Sequence, residues 1–146
     1  MTQPPRVLIH NDNFDAMAAR LATVMPDVAI ETSDSYSDMD EVLARFKPDL
    51  AYSICFKGRE GFPREALLGP NGPKWISVGG SGVDHLASWD TDKVTVTNSA
   101  GVAAPMMAEF VFGSILHFTL DIPGLEADRA ESKWRSGRLM TPMNGK

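Results

Sequence analysis

Trp75-Ile76-Ser77-Val78-Gly79-Gly80-Ser81-Gly82-Val83-Asp84-His85 is the stretch whose reading decides the fold. Trp75 to Val78 is short, β-branched and aromatic, and reads as a buried strand. It runs straight into glycines. Glycine after a strand permits positive φ and lets backbone come close to a ligand. Consecutive amides in such a turn, with a helix N-terminus behind them, form an anion site. The same residues also make a plain tight turn from strand to helix, with no ligand. A dinucleotide fingerprint is not complete here: after Gly80-x-Gly82 the third glycine is replaced by His85. A carboxylate or single phosphate therefore suits the turn better than a pyrophosphate.

Working outward, similar short apolar runs recur. Val7 to His10, Val28 to Glu31, Leu50 to Ile54 and Val94 to Thr97 read as four more strands. Between them lie amphipathic stretches. Asp12 is a candidate N-cap for a helix over Asp15 to Met25, whose Met17, Leu21, Val24 and Met25 share one face. Ser37 is a candidate cap for Asp38 to Phe46, with Met39, Val42, Leu43 and Phe46 on one side and Pro48 as the stop. A short helix over Glu65 to Leu68 ends near Gly69-Pro70. Strand and helix alternating in this way predict an α/β fold: a flavodoxin-like, five-stranded parallel sheet covered on both faces. In such sheets ligands sit beyond the carboxyl ends of the strands. The positions to watch are His10-Asn11-Asp12, Cys55-Phe56-Lys57-Gly58, Gly79 to Gly82 and Asn98 to Gly101.

After Gly101 the character changes. Val102 to Leu120 is apolar nearly all round, and such a helix is buried by something. Pro123 is expected to break it, with a charged helix resuming over Leu125 to Trp134. Residues 126–146 hold Arg129, Lys133, Arg135, Arg138 and Lys146 against Glu126, Asp128 and Glu131, a net +2, while the rest, with nine basic and sixteen acidic residues, carries −7. This segment is expected to belong to a neighbouring domain or subunit. The final Asn144-Gly145-Lys146 does not read as a domain end.

Composition bounds the function. The chain has 146 residues, 43% hydrophobic, with a net charge of −5 and a pI near 5.1. That is one domain's worth of chain. The acidic balance argues against a nucleic-acid or anionic-membrane surface. One cysteine and three histidines exclude a disulfide framework and a cysteine-rich metal centre, so no metal is expected. The apolar Val102 to Leu120 run contains Glu109, His117, Pro105 and Gly113, which argues against a membrane span. A cytoplasmic location is the default.

Few single residues point to chemistry. Asp84 and His85 could form an acid–base pair, but Asp84 reads more simply as a cap or pin for the glycine turn and His85 as a surface or packing residue. His10 reads as a strand-end residue and His117 as a hydrogen-bonded core or interface residue. Lys57 and Arg59 bring positive charge to the sheet edge expected to hold the glycine turn, which suits an anionic substrate, or are ordinary solvated charge. Cys55 has no activating partner and reads as a small buried hydrophobe. A buried Glu109 would need a partner and is expected to hold a loop backbone.

Three segments in register carry a resemblance. Lys74 to Leu86, with Gly82-Val83-Asp84-His85-Leu86 at its end, resembles the Gly-Val-Asp-(Asn/His)-(Ile/Leu) segment of the D-isomer-specific 2-hydroxyacid dehydrogenases. Val94 to Val102, followed by Ala108-Glu109, resembles that family's Val-Val-Asn-(Thr/Ser)-Pro-Gly and Ala-Glu segment. Arg129 and Lys133-Trp134 resemble its Arg and Gly-x-Trp at the end of the next helix. Residues 1–73 match only in strand–helix pattern. Ala100 stands where the family has Pro, the Arg common near the end of the Ala-Glu helix is absent around Leu120-Asp121, and Ala104 to Met107 lacks the family's Thr- or Val-rich stretch.

The resemblance implies a two-domain NAD(P)H enzyme that interconverts a small 2-oxo acid and a D-2-hydroxy acid. Residues 1–101 would be its substrate-binding domain, and residues 102–146 the interdomain and dimerisation helices that start a nucleotide-binding domain. Backbone amides of Gly80, Ser81 and Gly82 would hold the substrate carboxylate, and the Phe56-Lys57 loop would lie over it. The catalytic Arg, Glu and His and the nucleotide fingerprint would lie downstream of Gly145-Lys146, so this chain alone is expected neither to bind NAD or NADP tightly nor to transfer hydride. The helix of Val102 to Leu120 would form a homodimer. Two alternatives stand beside this: a stand-alone module binding a small carboxylate without catalysis, and a dimerising remnant with no ligand.

Overall fold

The computed structural model describes residues 4–136. Arg138 and the closing Gly145-Lys146, singled out above, lie outside the described residues. The chain divides into two compact units, 1–100 and 101–146.

Unit 1 holds the five expected strands: β1 (Arg6–His10), β2 (Ala29–Ser33), β3 (Leu50–Ser53), β4 (Trp75–Val78) and β5 (Thr95–Asn98). All neighbours pair in parallel, in the order β2-β1-β3-β4-β5. This is the flavodoxin-like order, whose switch point falls between β1 and β3. Three helices connect the strands: α1 (Asp15–Val24), α2 (Met39–Phe46) and α3 (Arg64–Leu67).

Register explains the core. Leu8, Ala51, Ile76 and Val96 occupy one rung across β1, β3, β4 and β5. Side chains two residues on return to the same face, so the next rung there is His10, Ser53, Val78 and Asn98. Leu8, Ala51 and Ile76 are fully buried, packed with Met39, Val42 and Leu43 of α2, Leu67 of α3, and Leu86 and Val94. Burying a side chain of that size contributes roughly 1.5–3 kcal/mol. Every member of this core lies in unit 1.

Coverage is unequal between faces. Right-handed crossovers running in opposite directions put α1 opposite α2. Yet α1 buries no residue: Met17 and Leu21 are half-buried, and Val24 and Met25 are exposed. The expected apolar stripe is therefore only partly used. The expected caps also differ. The residue before α1 is Phe14, not Asp12, and that before α2 is Asp38, not Ser37, and neither makes a side-chain cap. Ser37 instead hydrogen-bonds Ser35, and Asp38 accepts from Ser33, so local Ser and Asp contacts build the β2–α2 loop.

Unit 2 contains α4 (Ala104–Thr119) and α5 (Ile122–Ala130). Pro123 does not break a helix but sits in the first turn of α5, where its missing N–H costs nothing. Asp121 caps that turn by accepting from the Gly124 amide at 3.2 Å. The charged helix therefore starts and ends earlier than expected, and Trp134 lies beyond it, 93% exposed. α4 buries none of its residues: Phe110 and Phe118 are 76% and 77% exposed. Glu109 and His117 are exposed as well, so within this chain Glu109 is not the buried carboxylate expected, and of the two places expected for His117, core or interface, the core is excluded. Among the described residues no helix is long and apolar enough to cross a membrane.

Candidate functional site

The carboxyl ends of β1, β3, β4 and β5 carry His10, Ser53, Val78 and Asn98 on one rung. The loops leaving these positions form the edge on which a ligand of this fold sits.

The glycine turn follows β4. Its first amide, Gly79 N–H, donates to the Ser53 carbonyl at 3.1 Å and continues the ladder. The next amides, of Gly80, Ser81 and Gly82, donate no hydrogen bond among the described residues, and all three residues are exposed. None of these glycines has positive φ; that conformation occurs at Gly58, Gly61 and Gly101. The expected reason for the glycines is thus corrected. At Gly79 the requirement is close approach, because a Cβ there would run into the Tyr52 hydroxyl and Ile54. At Gly80 the nearest atom to such a Cβ is the Gly82 carbonyl at 4.0 Å, so a side chain has room. The turn is followed not by an α-helix but by one 3-10 turn, Asp84–Leu86. Any anion held here meets free amides without a full helix dipole behind them.

The end of β5 and the residues after it hold the turn. Asn98 Nδ2 donates to the Ser81 carbonyl at 2.8 Å, the Ser99 amide to the Gly80 carbonyl at 3.0 Å, and the Ser99 hydroxyl to the Val78 carbonyl at 3.1 Å. Asn98 Oδ1 in turn accepts from the Ala100 amide at 3.3 Å. The pin expected of Asp84 is therefore supplied by Asn98 and Ser99. Asp84 is exposed and makes no cap, although its carboxylate would lie 3.3 Å from a Cβ at Gly82. On the far side, Arg64 of α3 donates to the Leu86 and Ser88 carbonyls at 2.5 and 2.6 Å. An Asn two residues beyond a strand's last apolar position is the only sequence signal for this latch.

Phe56 and Lys57 part company. Phe56 is 2% exposed. Its ring stacks on Tyr36, with centroids 4.6 Å apart, and lies 4.6 Å from His10. Its amide donates to the Tyr36 hydroxyl at 2.6 Å. Phe56 thus belongs to an interior aromatic group with Tyr36, Phe62 and His10. Lys57 is exposed and makes no ion pair among the described residues. Arg59 does not project to the glycine turn: it donates to the Asp34 carbonyl at 2.6 Å and lies over the Phe56 ring. Cys55 is exposed rather than buried. Partial desolvation pushes its thiol up, the direction opposite to a reactive thiolate.

His10 is fully buried. Its Nδ1 lies 2.8 Å from the Ser53 hydroxyl, and its Nε2 has no partner. Burial lowers its pKa to about 4, against a smaller opposing pull from the Ser35 carbonyl and Asp38. His85 packs edge-on against Phe62, and burial lowers its pKa too, opposed by Asp84. Burial keeps both histidines neutral at pH 7, and both pack against aromatic rings, His10 against Tyr36, Phe56 and Phe62 and His85 against Phe62.

Concavity alone misleads here. A groove of about 690 Å³ lined by Leu68, Pro73, Lys74, Asp92 and Val94 lies at the amino ends of β4 and β5, the wrong edge for this fold. A groove of about 420 Å³, lined by Val83, Trp89, Val96, Thr97 and Asn98, adjoins the glycine turn. Among the described residues no cluster of three or more His, Cys, Asp or Glu side chains is arranged to hold a metal ion. The turn does not fit a dinucleotide either, since His85 replaces the third glycine and no α-helix begins there.

No protein-family profile matches the chain, nor does any curated protein. Among solved structures it resembles a crystal structure of a D-isomer specific 2-hydroxyacid dehydrogenase family protein from Aeromonas salmonicida subsp. salmonicida A449, with a TM-score of 0.68 and 22% identity. The likeness covers 99% of this chain and 44% of that one, so the chain spans less than half the length of its structural neighbour. At this identity the likeness shows the α/β fold.

Proposed function

We propose that the chain is the substrate-binding part of an NAD(P)-dependent oxidoreductase of the D-isomer-specific 2-hydroxyacid dehydrogenase family, interconverting a small 2-oxo acid and its D-2-hydroxy acid. One observation carries the reading. Three exposed amides, of Gly80, Ser81 and Gly82, unpaired among the described residues, stand at the carboxyl edge of a flavodoxin-like sheet, where the sequence resemblance assigns the carboxylate of the substrate. Backbone amides suit a carboxylate because each charge-assisted bond is roughly twice as strong as a neutral one. Lys57, exposed in the loop after the neighbouring β3 and without an ion pair among the described residues, adds attraction for an anion.

The nicotinamide cofactor supplies hydride to the carbonyl carbon when bound. No residue of this chain is assigned to hold it. The Arg, Glu and His that would polarise and protonate the carbonyl are likewise assigned to no residue of this chain. The proposal includes a homodimer through Val102 to Leu120 and a cytoplasmic location, in keeping with a single cysteine.

Titration of the 15N-labelled chain with oxalate, a non-reacting dicarboxylate, tests the site. Amide shifts concentrated at Ser81 and Gly82 are expected; shifts absent there sink the proposal. Added glyoxylate or hydroxypyruvate should leave NADH unoxidised by this chain alone, and measurable turnover would refute the assignment of catalysis elsewhere. A second reading, a carboxylate-binding module without catalysis, is favoured by one fact: the core of unit 1 is closed by residues of unit 1. The self-association of α4, taken up in the Discussion, separates the two.

A further inference from the structure

We infer that Asn98 is a positioning residue for the anion: it does not touch the ligand but aims the amide that does. The inference rests on the proposed carboxylate site and adds to it the device that orients it. A trans peptide is planar, and its C=O and the following N–H point in opposite directions. The described chain has no cis peptide bond. The Ser81 carbonyl and the Gly82 amide therefore belong to one rigid plane, as do the Gly80 carbonyl and the Ser81 amide.

Both carbonyls are tied to the same side. Asn98 Nδ2 holds that of Ser81 at 2.8 Å and the Ser99 amide holds that of Gly80 at 3.0 Å. Each bond turns the opposite edge of its plane, the Gly82 and Ser81 N–H groups, away from β5. Two neighbouring amides then present themselves together, already oriented before a ligand arrives. Without these two bonds an exposed turn with glycines at 79, 80 and 82 would rotate its peptide planes freely, and binding would have to order them. Asn98 is itself fixed, because its Oδ1 accepts from the Ala100 amide. One side chain thus spans both ends of the latch. The Ser99 hydroxyl reaches only Val78, within the strand, so it stands outside this device and serves as an internal control.

The test uses the whole 146-residue chain and oxalate. Asn98→Ala is expected to weaken oxalate binding about tenfold, the effect of losing one hydrogen bond's worth of order at the site, with the amide spectrum elsewhere unchanged. Ser99→Ala keeps the main-chain donor and should bind within about twofold of the wild type. Asn98→Asp keeps the acceptor for Ala100, removes the donor and sets a carboxylate oxygen against the Ser81 carbonyl, which drives that peptide plane out of its held orientation. In the absence of ligand it should shift the 15N resonance of Gly82, the nitrogen joined to the released carbonyl. A folded Asn98→Ala chain that binds oxalate like the wild type overturns the inference and leaves the carboxylate site standing. An unmoved Gly82 resonance in Asn98→Asp overturns it as well, and decides the matter should Asn98→Ala not fold. A wild type that shows no response at Ser81 and Gly82 overturns both the inference and the site.

Discussion

His10 Nδ1 and the Ser53 hydroxyl lie 2.8 Å apart and join the carboxyl ends of β1 and β3 at the switch point of the sheet. Both residues are fully buried, and the Phe56 ring centroid is 4.6 Å from the imidazole. The Ser53 hydroxyl meets only Nδ1 and Nε2 is left without a partner; a charged imidazole, with two N–H groups to satisfy, fares worse there than a neutral one.

Acid should therefore loosen this fold before its carboxylates protonate. His10 binds a proton near pH 6.5 when unfolded and near pH 4 when folded. Between those values the unfolded chain holds more protons, so stability falls as pH drops through the window, and the loss is complete below pH 4. Its upper bound is about 3 kcal/mol. His85 is lowered in the same direction and adds to the slope. Urea midpoints at pH 7, 6 and 5 should decline for the wild type. His10→Gln should be less stable at pH 7 but flatter across that range; an equal slope in the variant would show that His10 does not carry the effect.

The glycines at 79 and 80 should respond unequally to alanine. A Cβ at Gly79 meets Tyr52 and Ile54, whereas one at Gly80 has its nearest atom at 4.0 Å. Gly79→Ala is expected to cost about 1–3 kcal/mol by overpacking. Gly80→Ala, at negative φ, should stay within about 0.5 kcal/mol of the wild type in urea unfolding. Similar losses for both would mean that the turn needs glycine for another reason.

These glycines show how far the sequence could be read. Strand number, parallel pairing and the α2 core follow from apolar spacing, because Met39, Val42 and Leu43 can share a helix face with no other constraint. Unit 1's burial was harder. Whether Met17 and Leu21 are fully covered depends on what packs against α1, and periodicity does not carry that. The candidate turn was legible as a run of glycines after a strand. The reason for each glycine was not, since it depends on Tyr52, more than twenty residues away in sequence, and on a latch from β5. Tyr36 gave no signal inside a Ser- and Asp-rich loop, yet it fixes where Phe56 goes.

Phe56 and Lys57 can be separated by function. Tyr36→Phe removes the acceptor for the buried Phe56 amide and should cost about 1–3 kcal/mol. Phe56→Ala should cost about 3–5 kcal/mol, as for other buried aromatic truncations. Lys57→Ala, at an exposed position, should leave thermal stability unchanged and weaken oxalate binding severalfold, more at low salt than at high. A Lys57→Ala chain with unchanged affinity at low salt would remove the β3 loop from the site.

α4 makes the most exposed claim on a partner. Met106 and Phe110 stand one turn apart on it and are 67% and 76% exposed, and Phe118 near its end is 77% exposed. Together with Val102 and Met107, at 76% and 65%, they make an apolar surface of the kind that marks an interaction site. Under the proposed homodimer two copies cover it, and a two-fold interface uses each residue twice. Burying one Phe contributes roughly 1.5–3 kcal/mol, so Phe110→Lys should weaken association by well over tenfold. Sedimentation velocity across a hundredfold range of concentration should show the wild type moving from monomer to dimer and Phe110→Lys remaining monomeric, with the unit 1 amide spectrum unchanged. A wild type that stays monomeric throughout would count against the homodimer and in favour of the self-contained carboxylate-binding module.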